Sequence, residues 1–411
     1  MNEILKDPVL FFMALSIVIA CTSMGNATVT ALVYIVTTAL IFLKDGGKSL
    51  QRRSLMLYFA FVAIVLIYSA FGKGTLSSRT LNMRIFAFIN MFSVFMMSYH
   101  VKMLNSKQVK GLMIVAFFAL LFSIIGTTAV SFVDPMAVRI YGFGDVEDVD
   151  FEIANRYRSM GMMGYGLAHG MSVVAVALSV LILQAKSKWL KIVSAIMLLL
   201  TIRLLFVMTI TTALLLAVIG VAVVFANYFS KGRTFMTISL TVLIVAVFFL
   251  TGLSAIFLDF SGGANDEIYR KLADVFTSVE SGTSEGQMGY RQELYSASIK
   301  TFLSNPILGW GSDNGSHLII GDHSYFLDYL AYFGVFALLI FVAWWKEYKS
   351  MNLHLTKEFK SYYYYNFIPV AGFVAMKGAS VCGTLPFMSL VFIQLIFRFL
   401  NDKDKSASTV K

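Results

Sequence analysis

The segment GDHSYFLDYLAYFG, residues 321–334, sets His323 beside Asp322 and places Asp328 about one helical turn further in. An imidazole is the common side chain for taking a proton from a hydroxyl near neutral pH. In the first turn of a helix it sits near the positive end of the dipole, which favours the neutral ring that accepts a proton. The same helix end attracts phosphate. Asp322 reads as a cap for that helix, and Asp328 as a partner for an arginine or for Lys377. Arg291, Arg156 and Arg158 lie in polar stretches, while Arg203 and Lys377 interrupt apolar ones. A guanidinium's planar fork binds phosphate oxygens two at a time, so converging arginines would hold a group on which negative charge gathers. Lys377 is either a carboxylate partner or a second phosphate contact. Each residue also has a plainer reading. His323 would simply cap a helix, Arg291 would be a solvated charge, and Arg158 would mark a loop boundary. Arg203 would snorkel to the headgroups.

The elements that must position these groups are set by hydropathy. With 58% hydrophobic and 14% charged residues and a mean hydropathy of +0.76, a soluble globular chain is excluded. The apolar residues fall in blocks of bilayer length. Twelve spans are expected, near 8–24, 26–43, 54–72, 85–100, 111–133, 160–184, 191–207, 210–229, 234–258, 323–345, 362–382 and 386–400. The run from Ile192 to Phe229 is too long for one crossing, and TITT, Thr209 to Thr212, is the place to break it. The apolar N-terminal stretch reads as a retained first helix, because it has no strong basic region and no small-residue cleavage site. Cys21 and Cys382 sit in or at the ends of apolar segments, a pattern of neither disulfides nor metal ligands.

Lysine and arginine set the expected orientation. With both termini cytoplasmic, the inner segments hold 21 basic and 7 acidic residues, and the outer ones 12 basic and 16 acidic. This accounts for the net charge of +10 without nucleic acid. Two outer connections are long, Asp134–Ser159 and about Asp259–Asp322. The second carries helical periodicity twice, in NDEIYRKLADVFTSVE (265–280) and in YRQELYSASIKTFLSNP (290–306), where Asn305-Pro306 ends the pattern. The fold class expected is therefore an all-α polytopic integral membrane protein of about 12 transmembrane helices. A large, partly helical extracytoplasmic loop lies between helices 9 and 10. Residues 1–258 form helices 1–9, 259–322 the loop, and 323–411 helices 10–12 and a cytoplasmic tail. His169 and His100 read as structural, and the tyrosines of YYYYNF, 362–367, as an aromatic belt at the inner surface.

One combination is more specific than any of its parts. Arg291 and Leu294 on a helix, then NPILGWG with Asn305, Pro306, Gly309 and Gly311, then His323, Asp328 and Gly334 opening a span, resembles the O-antigen polymerase and O-antigen ligase superfamily. YRSMGMMGYGLAHG, Tyr157 to Gly170, looks like that family's arginine–glycine segment. The motif-level likeness is confined to about 155–335. The family usually carries a Ser-Arg pair where this chain has TITTALLLAVIG, and the arginine's place falls on Thr211. Arg203, two turns earlier, or a different arginine would then supply that charge.

The resemblance implies a metal-independent, cofactor-free glycosyltransferase at the outer face of a bacterial inner membrane. Its partners would be undecaprenyl-diphosphate-linked oligosaccharides, membrane lipids and a chain-length regulator. His323 and Arg291 would be catalytic, Arg158, Arg203 and Arg156 would bind diphosphate, and Asp328, Asp322 and Lys377 would support them. The expected activity is surface-polysaccharide polymerisation, of O-antigen or capsule. The alternatives are ligation of finished polysaccharide to a lipid A core or protein, and transport of lipid-linked oligosaccharides.

Overall fold

The structure, a computed structural model, describes residues 2–22, 27–71, 78–133, 165–208, 210–250, 286–310, 320–321, 323–378 and 385–408. Among these, every regular element is helical. The longer helices are α1 (Pro8–Thr22), α2 (Ala27–Asp45), α3 (Arg53–Phe71), α4 (Ser78–Met103), α5 (Ser106–Val133), α6 (Tyr165–Gln184) and α7 (Lys188–Val207). They continue with α8 (Thr211–Phe229), α9 (Thr234–Leu250), α10 (Gly286–Ser304), α11 (Tyr325–Phe333), α12 (Leu338–Ser350), α13 (Lys357–Tyr365), α14 (Ile368–Met376) and α15 (Ile393–Ser408).

Six helical stretches among the described residues are long and apolar enough to cross a membrane: Thr28–Asp45, Ser106–Val133, Leu167–Gln184, Lys188–Val207, Thr212–Phe229 and Tyr325–His354. Pro8–Thr22, Arg53–Tyr68, Thr234–Val245 and Leu385–Asn401 are shorter apolar helices. The chain is thus an α-helical, membrane-embedded protein. Backbone polar groups have no water to bond to in hydrocarbon, and a helix satisfies them internally. The expected break near TITT is present, for α7 ends at Val207 and α8 begins at Thr211.

Helix α6 is the central post, with 83% of its apolar window buried. Its sequence, YGLAHGMSVVAVALSVLILQ, is rich in small residues, which lets neighbouring backbones come close. It packs against α7 and α8, and Gly220 on α8 abuts Val176 so closely that an added Cβ would lie 2.4 Å from its methyl.

Two expected spans are not continuous helices. Between α11 and α12 the chain passes through a 3-10 turn, Gly334–Ala337. The expected span 362–382 is divided into α13 and α14 at Phe367, and Pro369 sits in the first turn of α14, where a missing N–H costs least. Helix α14 ends before Lys377, whose backbone is extended, so this lysine stands at a helix end and not inside a helix.

The tyrosines of YYYYNF also differ from expectation. Tyr362 and Tyr363 are buried, and Tyr363 stacks on Tyr348 at 4.2 Å between ring centroids. The two exchange hydrogen bonds, Tyr363 Oη to the Tyr348 carbonyl at 2.9 Å and Tyr348 Oη to the Tyr363 carbonyl. Part of this run is a core clasp between α12 and α13, because a phenol that can reach a carbonyl is stable inside a packed bundle.

At the Ser350 end of α12 lies an ionic cluster. Glu347, with no exposed surface, accepts Arg52 at 2.7 Å and Lys102 at 2.5 Å. It also accepts Ser98 Oγ at 2.8 Å and Ser54 Oγ at 2.7 Å. Arg398 on α15 adds hydrogen bonds to the Lys102 and Leu104 carbonyls at the end of α4. The cluster ties α3, α4, α12 and α15 together.

Candidate functional site

Helix α10 packs against α11, and the histidine segment leads into α11. Helix α10 covers the second of the two cap helices expected from periodicity and ends, as expected, just before Asn305. The first, within 265–280, lies outside the described residues.

The turn after α10 shows why NPILGWG has its composition. Asn305 donates through Nδ2 to the Gly309 carbonyl at 2.6 Å, and the Gly309 N–H donates back to the Asn305 carbonyl at 2.8 Å. The turn then lies against the end of α11. The Trp310 N–H donates to the Ala331 carbonyl at 3.1 Å, and the Val335 N–H to the Pro306 carbonyl at 2.9 Å. Gly309 and Gly334 meet at the crossing. Both have positive φ, +69° and +55°, and a Cβ on Gly309 would come within 2.4 Å of the Gly334 nitrogen. Gly309→Ala should therefore cost more than the roughly 1–3 kcal/mol of an unfavourable φ alone, since backbone must also move. The expected result is a lower midpoint of thermal unfolding in detergent, with Ser304→Ala on the neighbouring helix end as a mild comparison.

His323 is partly exposed and precedes Ser324, the N-cap of α11, so it sits just outside the helix and not in its first turn. Ser324 accepts the Leu327 N–H through Oγ at 3.2 Å, and Asp328 accepts the Ser324 N–H at 3.0 Å. This reciprocal cap fixes where the helix starts. The His323 Nδ1 lies 3.1 Å from the Gly321 carbonyl oxygen. A carbonyl only accepts, so Nδ1 carries the proton and the lone pair of the neutral ring is on Nε2. The Tyr290 ring, largely exposed, meets the imidazole edge-on at 6.3 Å between centroids.

Arg291 is partly exposed on α10, next to Tyr290, and forms no ion pair with the described residues. Tyr295, one turn on, donates to the Met376 carbonyl at 3.1 Å, joining α10 to the end of α14. Burial pushes the Tyr295 phenol above its ordinary range, opposed by Arg291 and reinforced by Asp328, so both charges lie within electrostatic reach of it. Lys377 is held at the same end, for its carbonyl accepts the Tyr325 N–H at 2.7 Å.

Asp328 is buried, and its carboxylate binds Ser298 Oγ at 2.6 Å as well as the Ser324 N–H. Arg203 belongs to another neighbourhood. It is buried between α5 and α7, donates to Ser131 Oγ at 2.8 Å and lies over the Phe132 ring at 4.0 Å. It is packed against the last turn of α5. Arg156, Arg158 and Asp322 lie outside the described residues, as does the side chain of Thr211. His169 is buried beside Phe373, at 4.3 Å between ring centroids, a packing contact between α6 and α14.

The structure thus gathers His323, Arg291, Asp328 and Lys377 at one end of the bundle. Sequence reasoning missed Ser298, Tyr290 and Tyr295, whose spacing on α10 places them along the face toward α11 and α14. Compared with protein-family models and with curated proteins, the chain matches none.

Proposed function

We propose that this chain is a bacterial surface-polysaccharide polymerase, a metal-independent glycosyltransferase with about twelve spans, both termini cytoplasmic and its site on the outer face of the inner membrane. One observation carries the reading. Most of the motif residues near the site are occupied in building it, whereas His323 Nε2 and the Arg291 guanidinium bond to nothing among the described residues. Asn305, Gly309 and Gly334 lock the turn onto the helix, and Asp328 caps it. A base and a phosphate-binding cation held by such a frame, and left without structural bonds, suit group transfer from a charged carrier.

In this reading the acceptor hydroxyl of a lipid-linked repeat unit attacks the anomeric carbon of the growing glycan. The bond from that carbon to the carrier's phosphate oxygen breaks, and the departing undecaprenyl diphosphate keeps the electron pair. His323 Nε2 receives the hydroxyl proton. Arg291 binds the diphosphate, with Arg158 and Arg156 as further phosphate ligands and Lys377 beside the mouth of the site, while Arg203, packed on Ser131 and Phe132, stands apart from it. A site at a helix end near the membrane surface lets the isoprenoid tail stay in lipid while the reacting end is in water.

Deletion of the gene, followed by gel analysis of surface and carrier-linked glycans, tests the proposal. Single repeat units where a ladder stood is the expected result. Full-length polymer left on the carrier would make the chain a ligase, and unchanged ladders in both fractions would remove the enzymatic reading in favour of transport or another role.

A further inference from the structure

We propose that Ser298 is a positioning residue for His323. Its hydroxyl both accepts and donates: the Gly321 N–H reaches Ser298 Oγ at 3.0 Å, and that Oγ donates to Asp328 Oδ1 at 2.6 Å. The other carboxylate oxygen, Oδ2, takes the Ser324 N–H at 3.0 Å. The path runs from residue 321 through α10 and α11 to residue 324, closing a ring of hydrogen bonds around the histidine. Ser298, Ser324 and Asp328 are each at most 2% exposed, so water does not compete for these bonds. Gly321 is pressed against α10, where a Cβ would lie 2.3 Å from the Leu294 carbonyl oxygen. The residue whose carbonyl holds His323 Nδ1 is therefore itself held by Ser298.

The consequence is a division of labour. The Gly321 carbonyl selects the Nδ1–H form, and Ser298 fixes the residue that bears this carbonyl, so the direction of Nε2 depends on a hydroxyl that never touches substrate. Asp328 anchors the same hydroxyl and the N-cap, joining the start of α11 to the cap helix. The inference rests on the reading of His323 as the proton acceptor, but its geometric half is measurable without any glycan.

In purified full-length protein in lipid vesicles, carbethoxylation of His323 by diethyl pyrocarbonate, followed by mass spectrometry, reports access to Nε2. Ser298→Ala should change that rate severalfold and lower polymer formation in membranes by roughly tenfold or more. Ser298→Cys, close in size but a weak donor and acceptor, should do the same if the alanine variant accumulates poorly. Ser298→Thr, which keeps the hydroxyl, should stay near wild type in both measurements. Wild-type His323 reactivity in the alanine and cysteine variants, or a threonine variant as impaired as alanine, would overturn the inference. Altered reactivity together with a normal ladder from His323→Ala would instead leave the positioning intact and remove the proposed catalytic role.

Discussion

Replacing Glu347 with alanine is expected to cost about 3–5 kcal/mol of stability, the range for breaking a buried ion pair from one side. The carboxylate has no exposed surface and takes four donors, from Arg52, Lys102, Ser98 and Ser54. Lys102 is 3% exposed in its side chain, so removing Glu347 leaves its ammonium in a low dielectric with hydroxyl and carbonyl oxygens as its remaining neighbours. Arg52 is 20% exposed in its side chain and can turn toward water. The test is the midpoint of unfolding in detergent, with the amount of protein in the membrane as a second readout. The double variant Glu347→Leu with Lys102→Met should recover most of the loss, because it removes both buried charges together. If Glu347→Ala melts like wild type, the cluster is not what joins α3, α4, α12 and α15.

That cluster marks where reading the chain alone fails. Arg52 and Lys102 are visible in the sequence as part of the basic side of the membrane, and Glu347 as one of the few acidic residues there. Nothing in their spacing says that they meet, for Lys102 and Glu347 are separated by 245 positions and come together only in the assembled bundle, where α12 packs against α3. The tyrosine run misled for a related reason. Tyrosine suits a membrane interface or a core that offers a carbonyl, and the choice depends on whether Tyr348 faces Tyr363. Hydropathy, by contrast, is a property of each segment by itself. It predicted helix across the described parts of the expected spans and the interruption near TITT, while the end of α10 before Asn305 was legible from the Asn305-Pro306 pair. The breaks at Gly334 and Phe367 escaped it because both lie inside apolar runs, where a change of backbone leaves hydropathy unaltered. Much the same holds for the site. His323, Arg291 and Asp328 stood out by residue type, whereas Ser298 is an ordinary helical serine until α11 is laid against it.

His323→Ala is expected to lower polymer formation by roughly 100- to 10,000-fold, the usual contribution of a positioned proton acceptor, while the protein still inserts and folds. The ring's structural bonds are few. Nδ1 touches the Gly321 carbonyl and Tyr290 meets the ring edge-on, and the helix start is held without it by Ser324 and Asp328. Loss of product with unchanged unfolding midpoint therefore separates chemistry from architecture. Arg291→Ala should give a comparable loss with equally little effect on stability, since the guanidinium has no ion pair among the described residues. Arg291→Lys should restore part of it, because an ammonium supplies the charge but not the bidentate fork. Gly309→Ala would behave oppositely, losing product because the fold is weakened. Those two patterns must differ if the frame and the reacting groups are separate. A wild-type ladder from both His323→Ala and Arg291→Ala would mean that the motif at this end of the bundle is a piece of packing.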